Sequence, residues 1–224
     1  MYDKKSKDIY FIHGPDPSVK SKSAENLIKA YKDYTSKKLM IVAHPDDELI
    51  FGGAELIKYG NEYKVVCLTN LNNKKRKVEF IKVMKELNVN DWEILDYPDK
   101  LDNSVKFDIK NIINSRKWDK IVTHNPIGEY GHPQHKLIFD HVKNITKNFY
   151  VFSKSNNKLE NKILTKKLDL LKLYKSEQDI INQIKDKNGD WFKDNNDTNY
   201  IEYEEITKYN PKKDKNKFIP CYEK

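Results

Sequence analysis

The chain has 224 residues, of which 34% are charged, 38% hydrophobic and 12% aromatic, with a formal net charge of +8. That length can bury a proper core, and the apolar content excludes a disordered chain. The positive balance is nearly all lysine, with Arg76 and Arg116 the only arginines. This argues against a nucleic-acid interface built on arginine clusters and leaves attraction of anionic substrates open.

The first residues lack the apolar core of a signal peptide, and no later run is long enough to span a bilayer. Cys67 and Cys221 are the only cysteines, so no disulfide framework is expected, and Cys67 reads as a small buried hydrophobe within the apolar run 65–68. A soluble, cytoplasmic protein is the expectation.

In chain order, residues 1–36 form an arm with a short strand at 9–12, a turn holding His13 and a helix capped by Ser23 that runs to 33. Residues 39–43 are a continuous apolar run of the kind a central parallel strand presents. His44-Pro45 stops it, because proline lacks the ladder amide and restricts the residue before it. Asp46, Asp47 and Glu48 then lead into a helix over 48–59, which Gly60 ends. A buried strand follows at 63–69. The apolar stripe Val78, Ile81, Val83, Met84 and Leu87 predicts a helix over 74–87.

A third strand at 92–96 opens into the loop 97–99, followed by a helix at 105–116 and a strand at 120–123. The Gly- and Pro-rich loop 123–135 comes next, with Pro133 suited to a first helical position. A helix over 136–147 carries His141, read as a partly packed helical histidine. Beyond it lie a strand at 150–152, a polar loop at 153–158 and one long lysine-rich amphipathic helix over 159–187. An alternating stretch at 200–206 suits an edge strand, and the end frays after about 212. Strands alternating with amphipathic helices predict one α/β domain: a Rossmann-like, mostly parallel sheet with helices on both faces, with arm 1–36, core 37–187 and extension 188–224.

Two of these strands open, at their carboxyl ends, into loops rich in metal-ligating residues, which is where open α/β sheets bind ligands. The first loop carries His44, Asp46, Asp47 and Glu48. The second carries His132 and His135, three apart at a helix start and so near one face. Each feature alone has a plain reading: a strand-end histidine, carboxylates that cap a helix, a solvated histidine pair. A lone His-x-x-His is weak. Together they supply the mixed nitrogen and oxygen donors of a catalytic zinc site with three protein ligands.

Ala43-His-Pro-Asp-Asp-Glu48 followed by Gly131-His-Pro-Gln-His135 resembles the LmbE/PIG-L family of zinc-dependent deacetylases, which act on N-acetylated amino sugars. The likeness runs from about residue 38 to about residue 178. It implies Zn2+ held by His44, Asp47 and His135, with Fe2+ or Co2+ acceptable to the same donors. It further implies Asp46 as general base, with the Tyr130 hydroxyl and a protonated His132 stabilising the oxyanion. Arg76, in Arg-x-x-Glu79, would lie near the substrate, although its spacing equally suits a surface arginine with a local ion pair. Asp99 would support the site, with Asp96 and Asp102 competing for that assignment. Gln134 stands where many members have aspartate, and Tyr174 to Gln178 resembles a family segment that ends in glutamine.

The implied substrate is an N-acetylated amino sugar of the GlcNAc type, free, nucleotide-linked or in a glycan. An amidase on a larger sugar-linked conjugate and a non-enzymatic glycan- or nucleic-acid-binding module are the alternatives. The sequence leaves the exact sugar and a homo-oligomer open.

Overall fold

A computed structural model describes residues 36–98, 100, 102–186 and 199–214. The expected elements at 9–12 and 23–33, His13, Asp99 and Cys221 lie outside the described residues.

Among the described residues, six strands form one sheet in the order β3-β2-β1-β4-β5-β6. They are β1 (Lys38–Val42), β2 (Tyr63–Thr69), β3 (Asp91–Tyr97), β4 (Lys120–Thr123), β5 (Tyr150–Lys154) and β6 (Glu204–Lys208). The first five pair in parallel, and β6 closes one edge antiparallel to β5. The expected mostly parallel α/β architecture is therefore present.

Strand β1 has no solvent-facing side chain between Leu39 and Val42. Because successive side chains point to opposite faces, Met40 and Val42 enter one core cluster while Leu39 and Ile41 enter the other. The first cluster is completed by α1 (Asp47–Tyr59), α2 (Lys74–Glu86), α6 (Asn161–Leu171) and α7 (Gln178–Asp186); the second by α3 (Val105–Asn114) and α5 (Pro133–Ile145), with the one-turn α4 (Gly128–Gly131) preceding α5. Helices thus cover both faces. Strand β1 has β2 on one side and β4 on the other, so the strand order reverses there. The loops after β1 and β4 flank that switch point, where doubly wound sheets open a crevice.

The structure corrects three expectations. The single helix expected over 159–187 is instead α6, a 3-10 turn at Lys175–Glu177 and α7. Gln178 Nε2 donates to the carbonyls of Leu171 (2.9 Å) and Tyr174 (2.8 Å), satisfying groups that the break exposes. Tyr174 is thereby fully buried with its hydroxyl on Glu48. The edge strand expected at 200–206 lies at Glu204–Lys208, because Asn199 organises the preceding residues as a turn that buries Tyr200 and Ile201. Pairing of Lys154 with Glu204 also extends β5 into the expected polar loop. No helix among the described residues is long and apolar enough to cross a membrane.

Candidate metal centre

The loop after β1 is a tight turn. Asp46 has φ +125°, a rare value for a residue with a side chain, and its carbonyl accepts the amides of Leu49 and Ile50 at the start of α1. The His44 amide donates to Asp47 Oδ2 at 2.8 Å. His44, Asp46 and Asp47 are all buried in this turn.

The loop after β4 is organised by Asn125. Its Oδ1 accepts the amides of Ile127 and Glu129, each at 3.0 Å, and its Nδ2 donates to Phe152 O at 3.1 Å. The backbone then reverses through Gly128 (φ +67°), Glu129 (φ +56°) and Gly131 (φ +101°). A side chain at 128 would be strained and would crowd Lys136. His132 precedes α5, its Nδ1 accepting the Gln134 amide at 3.3 Å, and Pro133 takes the first turn as expected.

The two loops meet at Asp47. Its Oδ2 lies 3.2 Å from His44 Nδ1 and 3.3 Å from His135 Nε2, so the three expected ligands converge. His124, not foreseen, places Nε2 3.6 Å from the same oxygen. Two overlapping groups, His44/His132/His135 and Asp47/His124/His135, each bring three donor atoms within 4.8 Å of one another. Gln134 Oε1 lies 2.6 Å from His44 Nε2, which leaves His44 Nδ1 on the Asp47 side. His135 Nε2 is buried without a hydrogen-bond partner. An orphaned imidazole nitrogen beside a carboxylate oxygen fits a divalent cation, which these residues could hold.

Burial acts to raise the Asp47 pKa, but the His135 and His44 imidazoles outweigh it and hold the carboxyl well below its usual range. Asp46 is pushed the other way, first by burial and then by repulsion from Asp47. Burial opposes charge on His135, yet Asp47 and Glu129 raise it to about 9, so a bound metal would displace its proton. Burial, then repulsion from Asp47 and Asp46, keeps the Tyr130 hydroxyl protonated. His132 differs from the protonated form expected. Burial, then the neighbouring His135 and His44 imidazoles, lower it to about 3, and the ring is neutral.

A cavity of about 170 Å³ opens onto this cluster, lined by His44, Asp46, Asp47, Arg76, Tyr130 and His132, with Glu177 and the apolar Ile50, Ile180 and Ile184. Arg76 is not the surface residue of the alternative reading. Its Nη2 donates to Pro45 O at 3.2 Å and lies 3.7 Å from Asp46 Oδ1, and its Nε is 3.1 Å from Glu177 Oε1. Glu79 instead accepts from the Ser176 amide and hydroxyl. Asp96 and Asp102 are exposed and do not line the cavity; they bond Asn72 and Ser104. Cys67 and His141 are buried, as expected.

Sequence reasoning missed His124, Glu129 and Glu177. Glu129 is 3% exposed, and the flanking Gly128 and Gly131 were the available signal that its backbone is unusual.

Comparison with known proteins bears on the family and the fold. The sequence profile of PIG-L, described as GlcNAc-PI de-N-acetylase, matches residues 39–146. An uncharacterised protein of Acanthamoeba polyphaga mimivirus is 37% identical over 183 residues, covering 71% of this chain and 80% of that protein. The crystal structure of the conserved protein TT1542 from Thermus thermophilus superposes with a TM-score of 0.56 at 12% identity, covering 78% of this chain and 94% of that one.

Proposed function

The chain belongs to the PIG-L family, and from that premise we propose that it is a metal-dependent hydrolase removing the acetyl group from an N-acetylated amino sugar. The observation that carries this reading is the orphaned His135 Nε2 beside Asp47, a residue that lines the cavity. His44, Asp47 and His135 would hold the ion. Zinc suits these donors best, and iron(II) or cobalt(II) would be accepted. Bound there, the ion supplies Lewis acidity, polarising the amide carbonyl and making a neighbouring water more acidic.

The chain's own groups do the rest. Asp46, buried at the cavity wall, takes the proton of the attacking water, and its raised pKa makes it a stronger base than an ordinary aspartate. Tyr130 stays protonated and can donate to the oxyanion. His132 accepts the Gln134 amide at Nδ1, which puts its proton on Nε2, available to the oxyanion or the departing amine. Arg76 holds the Asp46 side of the cavity, and Arg76 and Asp99 are the proposed contacts to the sugar or its carrier. A cavity of about 170 Å³ is smaller than the roughly 300–1,000 Å³ usual for drug-sized ligands. This favours an acetyl group over a bulky acyl conjugate. We place the enzyme in the cytoplasm, as a single domain.

The test is metal analysis of the purified protein, followed by an acetate-release panel of free, nucleotide-linked and oligomeric N-acetyl sugars. The reading expects about one divalent ion per chain, lost in His135→Ala, and acetate release from at least one class. A wild-type protein that binds no divalent ion and releases no acetate would overturn it.

A further inference from the structure

We propose that Glu129 is a positioning residue of this centre: its buried carboxylate sets the tautomer and ring plane of His135 and, through His124, ties that ligand to the end of β1. The proposal rests on the metal reading above and concerns residues that reading does not use.

The proton positions follow from one donor of known direction. The Ala43 backbone N–H can only donate, and it points to His124 Nε2 at 3.0 Å. That nitrogen must therefore present a lone pair, which puts the His124 proton on Nδ1. Nδ1 lies 3.0 Å from Glu129 Oε2, to which it donates. Both nitrogens of His124 are thereby occupied, and the ring cannot serve as a ligand without releasing Ala43.

The same Oε2 lies 2.6 Å from His135 Nδ1, while Oε1 accepts the Asn125 amide at 2.8 Å. With its Nδ1 proton committed to Glu129, His135 turns Nε2 toward Asp47, 3.3 Å away, as the nitrogen left for a metal. The His124 and His135 rings stack with centroids 3.7 Å apart and planes 19° from parallel, both directing Nδ1 to the one oxygen. The Glu129 backbone, at φ +56°, is kept in its unusual conformation by Asn125 Oδ1. Ala43, which precedes the ligand His44, is thus joined to the ligand His135 through His124 and Glu129. One carboxylate couples the two ligand loops, and a carboxylate on the far nitrogen of a ligating imidazole also makes that ligand more basic.

Histidine-labelled protein examined by long-range proton–nitrogen NMR tests this without any substitution. In the metal-free wild type His124 should be neutral and carry its proton on Nδ1. A proton on Nε2 would overturn the bracket. The second arm compares wild type with Glu129→Gln by zinc competition against a chelator and by the cobalt(II) absorption spectrum. Glu129→Gln should bind zinc about 10- to 100-fold more weakly and shift the cobalt bands. Wild-type affinity and an unchanged spectrum in a folded Glu129→Gln would overturn the proposal alone. A wild type that takes up no zinc would overturn the metal reading and this role together. If Glu129→Gln does not fold, the wild-type tautomer decides.

Discussion

Lys167 and His135 are both fully buried, and both face a carboxylate, yet their polar atoms end differently. Lys167 Nζ donates to Ile50 O at 2.8 Å, to Tyr200 O at 3.1 Å and to Glu204, which uses all of its protons. Glu204 in turn accepts the Ala54 amide at 2.6 Å. The cluster is closed, and its partners lie on α6, α1 and the turn and strand around β6, which it ties together. His135 satisfies only Nδ1 and leaves Nε2 over Asp47. A closed buried charge holds a structure together; an open one leaves a valence for something from outside.

Removing one member of the closed cluster should have the largest effect. Lys167→Met leaves Glu204 buried without its partner and should destabilise the chain by about 3–5 kcal/mol in urea unfolding. Most of that should return in Lys167→Met with Glu204→Leu, because replacing both charges is far milder than stranding one. A single variant within ~1 kcal/mol of wild type would show that the cluster is not closed.

Glu48 sharpens the contrast. It accepts from the Tyr174 hydroxyl and the Asp46 amide, and burial raises its pKa from 4.5 to about 7. The folded form therefore holds a proton that the unfolded chain releases. Its contribution is fully present below pH 4.5 and is lost as pH rises through about 7. The Glu48 share of that loss is about 3 kcal/mol, read as the difference in urea midpoints between metal-free wild type and Glu48→Gln across the window.

At the open cluster, Asp46→Asn should keep its metal, because the proposed ligands are untouched. Its turnover should nonetheless fall by roughly 100-fold or more, the scale of a lost general base. Asp47→Asn should instead weaken metal binding, with some activity returning in excess zinc. Metal loss from the first variant with retention in the second would exchange the two roles. Arg76→Ala should be milder, on the order of 10-fold in kcat/KM, the scale of one charged hydrogen bond. Because Arg76 lowers the Asp46 pKa, its removal should move the acidic limb of the pH–rate profile upward. An unmoved limb would separate Arg76 from Asp46.

Much of the scaffold was legible before any coordinates. The expected strands at 63–69 and 120–123 match β2 and β4 residue for residue, because a strand covered on both faces carries a short apolar run at its centre, Val65 to Leu68 in one and Ile121-Val122 in the other. The helix break after Leu171 was not legible. The lysine-rich stripe keeps its period through it, and the break is held by contacts such as Tyr174 to Glu48, 126 residues away.

The same division runs through the site. Two short motifs at strand ends, each with its proline and its donors, were enough to raise the family resemblance that implies His44, Asp47 and His135 as one ligand set, and both strands do belong to one parallel sheet. Sequence periodicity reports which face of an element is apolar, and motif spacing reports which donors share a loop. Neither reports which nitrogen of an imidazole carries the proton. That was decided by the Ala43 amide reaching His124 across 81 residues and by a glutamate in a reversed loop receiving two rings. Hydrogen-bond direction belongs to pairs of groups in space, and only the folded chain brings those pairs together.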